Sequence, residues 1–160
     1  MEMTIENRIS RRPVIMPDDE IFLQDLYLAS RDDLQGLFTD NEQMRQLLLM
    51  QYRAQALTYS GQFPSAEHEV ILLDSESVGR VMVDSGPEVM RLVDISLLPG
   101  SRNIGIGTEI MKQLLAKCGA NGLPCELSVL RTNPAQHLYE RLGFKFIGED
   151  ETRLHMRWSN

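Results

Sequence analysis

The sequence predicts an α/β fold with a mixed sheet, in the element order βααβββαβαββ. Three observations lead there. In the first third, apolar residues recur at helical spacing, and after Phe63-Pro64 the texture switches to short strand-like runs. Ile106, Ile110, Met111, Leu114, Leu115 and Cys118 form one amphipathic helical stripe that ends at Gly119. From there to the C-terminus, strand-like and helix-like segments alternate. With 160 residues, 42% of them hydrophobic, the chain suits a single domain over residues 1–160 with a sizeable core.

The elements follow in order. "IENRISRRPVI" alternates loosely and reads as a first strand. Pro17-Asp18-Asp19-Glu20 starts a helix, because acidic residues favour the positive first turn; Ile21, Phe22, Leu26 and Leu28 give it an apolar face. A longer helix is expected from about Thr39-Asp40 to Tyr59, with Met44, Leu47, Leu48, Gln51, Ala54 and Leu57 at helical spacing and Gly61 as its stop. "HEVILLDSES" and "VGRVMVDSG" read as two strands joined by a polar turn at Ser75 to Ser77. Gly86-Pro87 turns the chain into a third strand, "VMRLVDISLL". After the amphipathic helix come the strand "CELSVLR" and a short helix opened by Pro134 and stopped by Gly143. "FKFIGEDETRLHMRW" closes with two strands. Repeats, low-complexity tracts and linkers are not seen.

The formal net charge of −7 argues against a nucleic-acid partner, whose phosphates need a basic stripe. The cysteines, Cys118 and Cys125, suggest neither a disulfide framework nor a zinc site. The start "MEMTIENRISRR" has no apolar signal-peptide core. The most apolar short run, "LLLM", is far below the roughly 20 residues that span a bilayer. The expectation is a cytoplasmic protein without metal, membrane or nucleic acid.

The passage "LLPGSRNIGIGT", Leu97 to Thr108, joins a strand to a helix and sets two glycines at the helix mouth. A helix N-terminus carries amides without internal partners and a positive dipole end. Small residues there let phosphate oxygens approach, and Gly105 and Gly107 provide that clearance. Arg102 adds a fork of donors. The alternative is a tight strand-to-helix turn and nothing more. A P-loop needs Gly-Lys-Ser/Thr, yet Thr108 follows Gly107 directly; a dinucleotide fingerprint needs a third glycine where Ile110 stands. Both motifs fail.

The pattern Arg102-Asn103-Ile104-Gly105-Ile106-Gly107, after an apolar strand and Pro99, resembles the acyl-CoA pyrophosphate loop of the GNAT superfamily of N-acetyltransferases. "NPAQHLYERLGFKFIGE", Asn133 to Glu149, is similar to the superfamily's next block. The two blocks and the strand between them cover roughly Arg91 to Glu149; the N-terminal half matches only in element order. The resemblance implies a largely antiparallel sheet flanked by helices, with splayed central strands, and acetyl-CoA as co-substrate. It implies that residues 102–108 (Arg102, Asn103, Ile104, Gly105, Ile106, Gly107 and Thr108) hold the cofactor. It places an oxyanion-binding backbone N–H at Leu97 with Leu98 adjacent, at a bulge. It matches Tyr139 to the tyrosine that protonates the departing thiolate, against the plainer reading of an aromatic packing beside Leu138 and Phe144. Asn133 matches a pantetheine contact, and equally suits the cap of the helix opened by Pro134.

An attacking amine must lose a proton at neutral pH. Asp94, on the strand before the loop, is the candidate base; a water chain is the alternative. His137 falls on a short helix, His68 begins a strand and His155 sits in the last strand, and no Ser-His-Asp grouping is evident from the sequence. Cys118 reads as core, Arg11-Arg12 and Arg153-Arg157 as solvated charges. The reading is an acetyl-CoA-dependent N-acetyltransferase using a ternary complex. The alternatives are a silent acyl-CoA sensor of the same fold and an unrelated phosphate-binding module. The acceptor is a small-molecule or peptide amine. Asp32, Asp33, Asp40 and Glu42 suit a cationic acceptor, Arg53 or Arg80 an acidic one. A homodimer stays open.

Overall fold

The computed structural model describes residues 3–31 and 42–160. In chain order the elements are α1 (Ile5–Arg8), β1 (Ile9–Pro13), α2 (Glu20–Ser30), α3 (Glu42–Gln62), β2 (Glu67–Leu73), β3 (Glu76–Ser85), β4 (Met90–Leu97), a 3₁₀ turn (Pro99–Ser101), α4 (Ile106–Ala120), β5 (Cys125–Leu130), α5 (Ala135–Arg141), β6 (Lys145–Glu149) and β7 (Arg153–Trp158). The strands form a seven-stranded sheet in the order β1-β2-β3-β4-β5-β7-β6. Every neighbouring pair is antiparallel except β4–β5. This is the expected α/β fold, with one short extra helix: Ile5–Arg8 coils before β1 begins.

The sheet separates two different layers. On one face, α4 buries Ile110, Met111, Leu114, Leu115 and Cys118 in a core shared with Ile71, Val81, Leu92, Leu127 and Met156. Burying each such aliphatic side chain is worth about 1.5–3 kcal/mol. Neighbouring residues of a strand point to opposite faces. Val81 belongs to that core, so Arg80 points the other way, where Gln55 of α3 accepts a hydrogen bond from it at 3.0 Å. The helices α2 and α3 cover this second face. The start of α2 is pinned by Asp19, whose two carboxylate oxygens each accept a 2.8 Å bond from Arg12. With the Ile15 amide as a further donor, these bonds hold the Asp19 carboxyl down to about 2. Arg12 is therefore a structural anchor, not the solvated charge expected for it.

The face that α3 presents also differs from expectation. Leu48, Leu49 and Tyr52 are buried, whereas Leu47, Met50 and Leu57 are 45%, 62% and 74% exposed. Adjacent leucines make helical phase ambiguous in the sequence, and the tyrosine decides it: Tyr52 packs against Tyr27 of α2, ring centroids 5.6 Å apart. The helix also runs through Gly61 to Gln62; its expected beginning at Thr39-Asp40 lies outside the described residues. Among the described residues no helix is long and apolar enough to cross a membrane.

Candidate active site

The sheet opens at its centre. β4 and β5 pair only over Met90–Leu92 and Cys125–Leu127. Beyond that, β4 stays with β3 as far as Leu97, and β5 stays with β7 as far as Leu130. The divergence begins at a bulge: Met82 faces Asp94 and Val83 faces Leu92, which leaves Val93 as an extra residue in β4. An inserted residue sharpens twist and releases backbone groups from the ladder. A cavity of about 900 Å³ occupies the gap.

The backbone at the end of β4 is oriented by the ladder. The Leu98 N–H donates to the Val78 carbonyl at 2.8 Å. Antiparallel partners alternate between pairs that exchange hydrogen bonds and pairs that do not. Leu97, opposite Gly79, is therefore of the second kind, and its N–H and C=O point away from β3 into the gap. Consistent with this, the Leu97 carbonyl accepts a 3.0 Å bond from Arg102 Nε. Of the two adjacent leucines, Leu97 offers its amide to the cavity and Leu98 spends its own on the sheet.

The loop between β4 and α4 takes left-handed turns at Asn103, φ 62°, and Gly105, φ 97°. The second suits glycine, which has no Cβ to crowd the backbone. The first intrahelical bond at this end runs from the Glu109 N–H to the Gly105 carbonyl at 3.0 Å. The amides of Ile106, Gly107 and Thr108 precede it and are the orphan donors of a helix start. A Cβ at Gly107 would meet only Leu138 and Leu97 side chains, at 3.9 and 4.0 Å, and one at Gly105 only Ile5 at 3.9 Å. At both glycines the protein comes no closer than ordinary contact. Orphan amides, uncrowded glycines and Arg102 at the cavity wall together fit a diphosphate lying across this helix end.

Six of the expected site residues line the cavity: Asp94, Leu97, Arg102, Gly107, Asn133 and Tyr139. Leu98, Asn103, Ile104, Gly105, Ile106 and Thr108 do not line it. Asn103, Ile104 and Gly105 form the exposed outer loop, and Ile106 sinks its side chain into the core. Asn133 Oδ1 accepts the Ala135 amide at 2.9 Å, so the helix-capping arrangement is present at a residue that also lines the cavity.

Tyr139 is 5% exposed and meets Phe144 edge to face, with centroids 5.8 Å apart. Burial first, then the negative field of Asp94, pushes its phenol up to about 12. Asp94 is half of an ion pair: Arg80 donates to Asp94 Oδ2 from Nε at 2.8 Å and from Nη2 at 2.6 Å. The Ser96 hydroxyl approaches the same oxygen at 3.4 Å. The carboxylate expected to act as base thus has one oxygen occupied by a guanidinium. Cys125 is fully buried, and burial pushes its thiol up to about 12, which removes it as a nucleophile.

Several wall residues have no local signature in the sequence. Tyr27, Arg31, Gln55 and Tyr59 come from α2 and α3 or their ends, Arg80 from β3, Ser128 from β5 and Arg153 from β7. Arg153, read as a solvated charge, stands in the wall; Arg157 pairs with Glu126 at 3.5 Å. Ser128 donates or accepts a 2.7 Å bond with His155 Nδ1, a grouping the sequence did not reveal. The signal for both was alternation: Ser128 faces His155 and Leu130 faces Arg153 along one ladder. Asp32, Asp33 and Asp40 lie outside the described residues. Among the described residues, no group of three or more potential metal-ligating His, Cys, Asp or Glu side chains occurs.

The comparisons agree with this architecture. The family model described as an acetyltransferase (GNAT) domain matches residues 64–146, more than half of the chain. A PaiA N-acetyltransferase from Thermoplasma acidophilum, solved in complex with coenzyme A, superposes with a TM-score of 0.71 at 18% identity, covering 95% of this chain and 99% of that one. A GNAT family acetyltransferase from Elizabethkingia anophelis with acetyl-CoA bound gives 0.61 at 16%, covering 96% and 99%. Naa50 of Arabidopsis thaliana, in complex with the bisubstrate analogue CoA-Ac-MVNAL, gives 0.64 at 16%, covering 96% and 99%. No curated protein matches the chain. The structural likenesses establish the fold, and the sequence match establishes the lineage: this chain belongs to the GNAT acetyltransferase family.

Proposed function

We propose that residues 1–160 act as one cytoplasmic N-acetyltransferase domain, transferring the acetyl group of acetyl-CoA to a primary amine by direct attack in a ternary complex. One observation carries the reading: the splayed strands bring an outward-facing amide, Leu97, and a buried phenol, Tyr139, into the same cavity, beside a helix start with orphan amides. Acetyl-CoA, when bound, supplies the acyl group in activated form as a thioester. The amides of residues 106–108 and the Arg102 guanidinium would hold its diphosphate, and the Leu97 N–H would donate to the acyl oxygen as that atom gains charge. Tyr139, still protonated far above neutral pH, is the donor for the departing sulfur.

The acceptor enters from the side of α2 and α3. Among the described lining residues Asp94 is the single acid, against Arg31, Arg80, Arg102 and Arg153. That balance favours an amine that also carries a negative group over a polycation. The protein is assayed by thiol release from acetyl-CoA with matched amines, each amino acid beside its amide, and with polyamines and a peptide N-terminus. Acetylation of the carboxylate-bearing member of a pair, with acetyl mass gain, is the expected result. Calorimetric binding of coenzyme A without thiol release on the whole panel would overturn transfer and leave a sensor.

A further inference from the structure

Behind the cavity wall a second polar chain runs to the surface. Ser128 lines the cavity just past the last paired residue of β5, where β4 has diverged. Its cross-strand partner on β7 is His155, and Ser128 Oγ lies 2.7 Å from His155 Nδ1. On the other edge of the ring, His155 Nε2 lies 3.3 Å from Asp150 Oδ2. The Asp150 carboxylate has divided duties. Oδ1 accepts the Thr152 and Arg153 amides at 2.9 and 2.8 Å, closing the turn between β6 and β7, and Oδ2 is left for the imidazole. Those two amide bonds hold its carboxyl below the usual range, so it stays ionised and can only accept. An ionised Asp150 3.3 Å from Nε2 favours the tautomer protonated there, in which Nδ1 accepts from the Ser128 hydroxyl.

We propose that Ser128, His155 and Asp150 form the proton-accepting relay for the incoming amine. This rests on the acetyltransferase reading above. As the amine nitrogen bonds to the acyl carbon, its N–H bond breaks and the proton goes to Ser128 Oγ. The Ser128 hydroxyl proton passes in the same movement to His155 Nδ1. The imidazolium so formed is stabilised by the Asp150 carboxylate. It gives its Nε2 proton to water, since the His155 and Asp150 side chains are 36% and 53% exposed. The neutral imidazole, left protonated on Nδ1, exchanges protons with water to regain its starting tautomer. The electron pair displaced from the acyl carbonyl collapses to break the C–S bond. The thiolate takes the Tyr139 proton, and the phenolate recovers one from water, so that one proton has left the amine and one has reached the sulfur. Ser128 is the catalytic group; His155 and Asp150 are positioning and proton-holding residues that act through it. The ion pair of Asp94 with Arg80 gives that carboxylate a different task.

The test compares Ser128→Ala, Ser128→Thr, His155→Gln and His155→Ala with the wild type, using the amine of the panel above that the wild type acetylates fastest. General-base catalysis is worth on the order of 100-fold or more, so Ser128→Ala and His155→Gln should lose that much in kcat with KM for acetyl-CoA unchanged. Ser128→Thr keeps the hydroxyl and should recover most of the rate. Added imidazole should restore part of the activity of His155→Ala, an effect that a merely structural histidine would not show. A readout independent of turnover is the nitrogen NMR spectrum of histidine-labelled protein. The His155 Nδ1 signal, identified by its loss in His155→Gln, should report a hydrogen-bonded acceptor and shift in Ser128→Ala. Variants that bind coenzyme A normally and acetylate within about twofold of the wild type would overturn the relay alone. A loss that Ser128→Thr and imidazole both fail to rescue would overturn it too. A wild type that neither binds coenzyme A nor releases thiol would overturn the acetyltransferase reading first.

Discussion

The two faces of the sheet at its central opening are built on opposite principles. Toward α4 the wall is apolar and continuous, with Ile110, Met111, Leu127 and Val129 at most a few per cent exposed. Toward α2 and α3 it is polar and wired: Arg80 to Asp94 and Gln55, Ser128 to His155, and Glu126 to Arg91 and Arg157 at 3.0 and 3.5 Å. The apolar face fixes one helix, whose N-terminal amides are the contact proposed for the diphosphate. The polar face fixes side chains from five separate elements. A backbone site needs only a rigid helix under it, whereas a side-chain site needs every supporting bond in place.

The contrast can be broken experimentally. The largest effect is expected on the polar face. Arg80→Met leaves Asp94 without its buried partner, and breaking such a pair costs about 3–5 kcal/mol when fully buried. Arg80 is 6% exposed and Asp94 more so, hence the lower end is expected, read as a drop in Tm. The double variant Arg80→Met, Asp94→Leu should recover most of it, because it removes both charges together.

Next comes Tyr139→Phe. It keeps the packing against Phe144 and loses the proton donor, so kcat should fall on the order of 100-fold with Tm little changed. A pH series sharpens the result. The folded phenol lies at about 12, above its ordinary value near 10, so the folded state holds its proton longer than the unfolded one. That contribution to stability is complete below pH 10 and disappears between pH 10 and 12. Tyr139→Phe should make the alkaline fall in Tm over that window shallower.

The smallest effect is expected on the backbone site. Gly107→Ala adds a Cβ that meets no protein atom closer than 3.9 Å, at a residue whose φ is not left-handed. Its Tm should match or exceed that of the wild type, since alanine costs a helix less than glycine. Its affinity for coenzyme A, measured by calorimetry, should weaken about tenfold, equivalent to about 1.4 kcal/mol. Loss of folding instead would mean that the glycine serves the turn.

The site was legible in the sequence in proportion to how local its chemistry is. Residues 97–108 carry strand end, turn and helix start in one run, so the run itself singled out Arg102 and the two glycines, and the resemblance to the GNAT loop pointed to Leu97. Tyr139 stood out within a second short block. The pairings of the polar wall were not legible: Asp94 and Arg80 were each singled out, but they meet each other and Gln55 from three elements, and Ser128 meets His155 only after β7 has inserted between β5 and β6. The face of α3 was misread for a related reason: Leu47, Leu48 and Leu49 satisfy more than one helical phase, and contact with α2 selects among them.

By itself the sequence determined the alternation of helices and strands, the glycine-bearing helix start and the apolar stripe that anchors it. These follow from φ freedom, capping and period, which act between residues a few positions apart. Only the tertiary structure decided which leucine amide faces the gap, which carboxylate is paired and which serine reaches a histidine. Those outcomes depend on strand register and on one bulge at Val93, and register is settled by packing between residues distant along the chain.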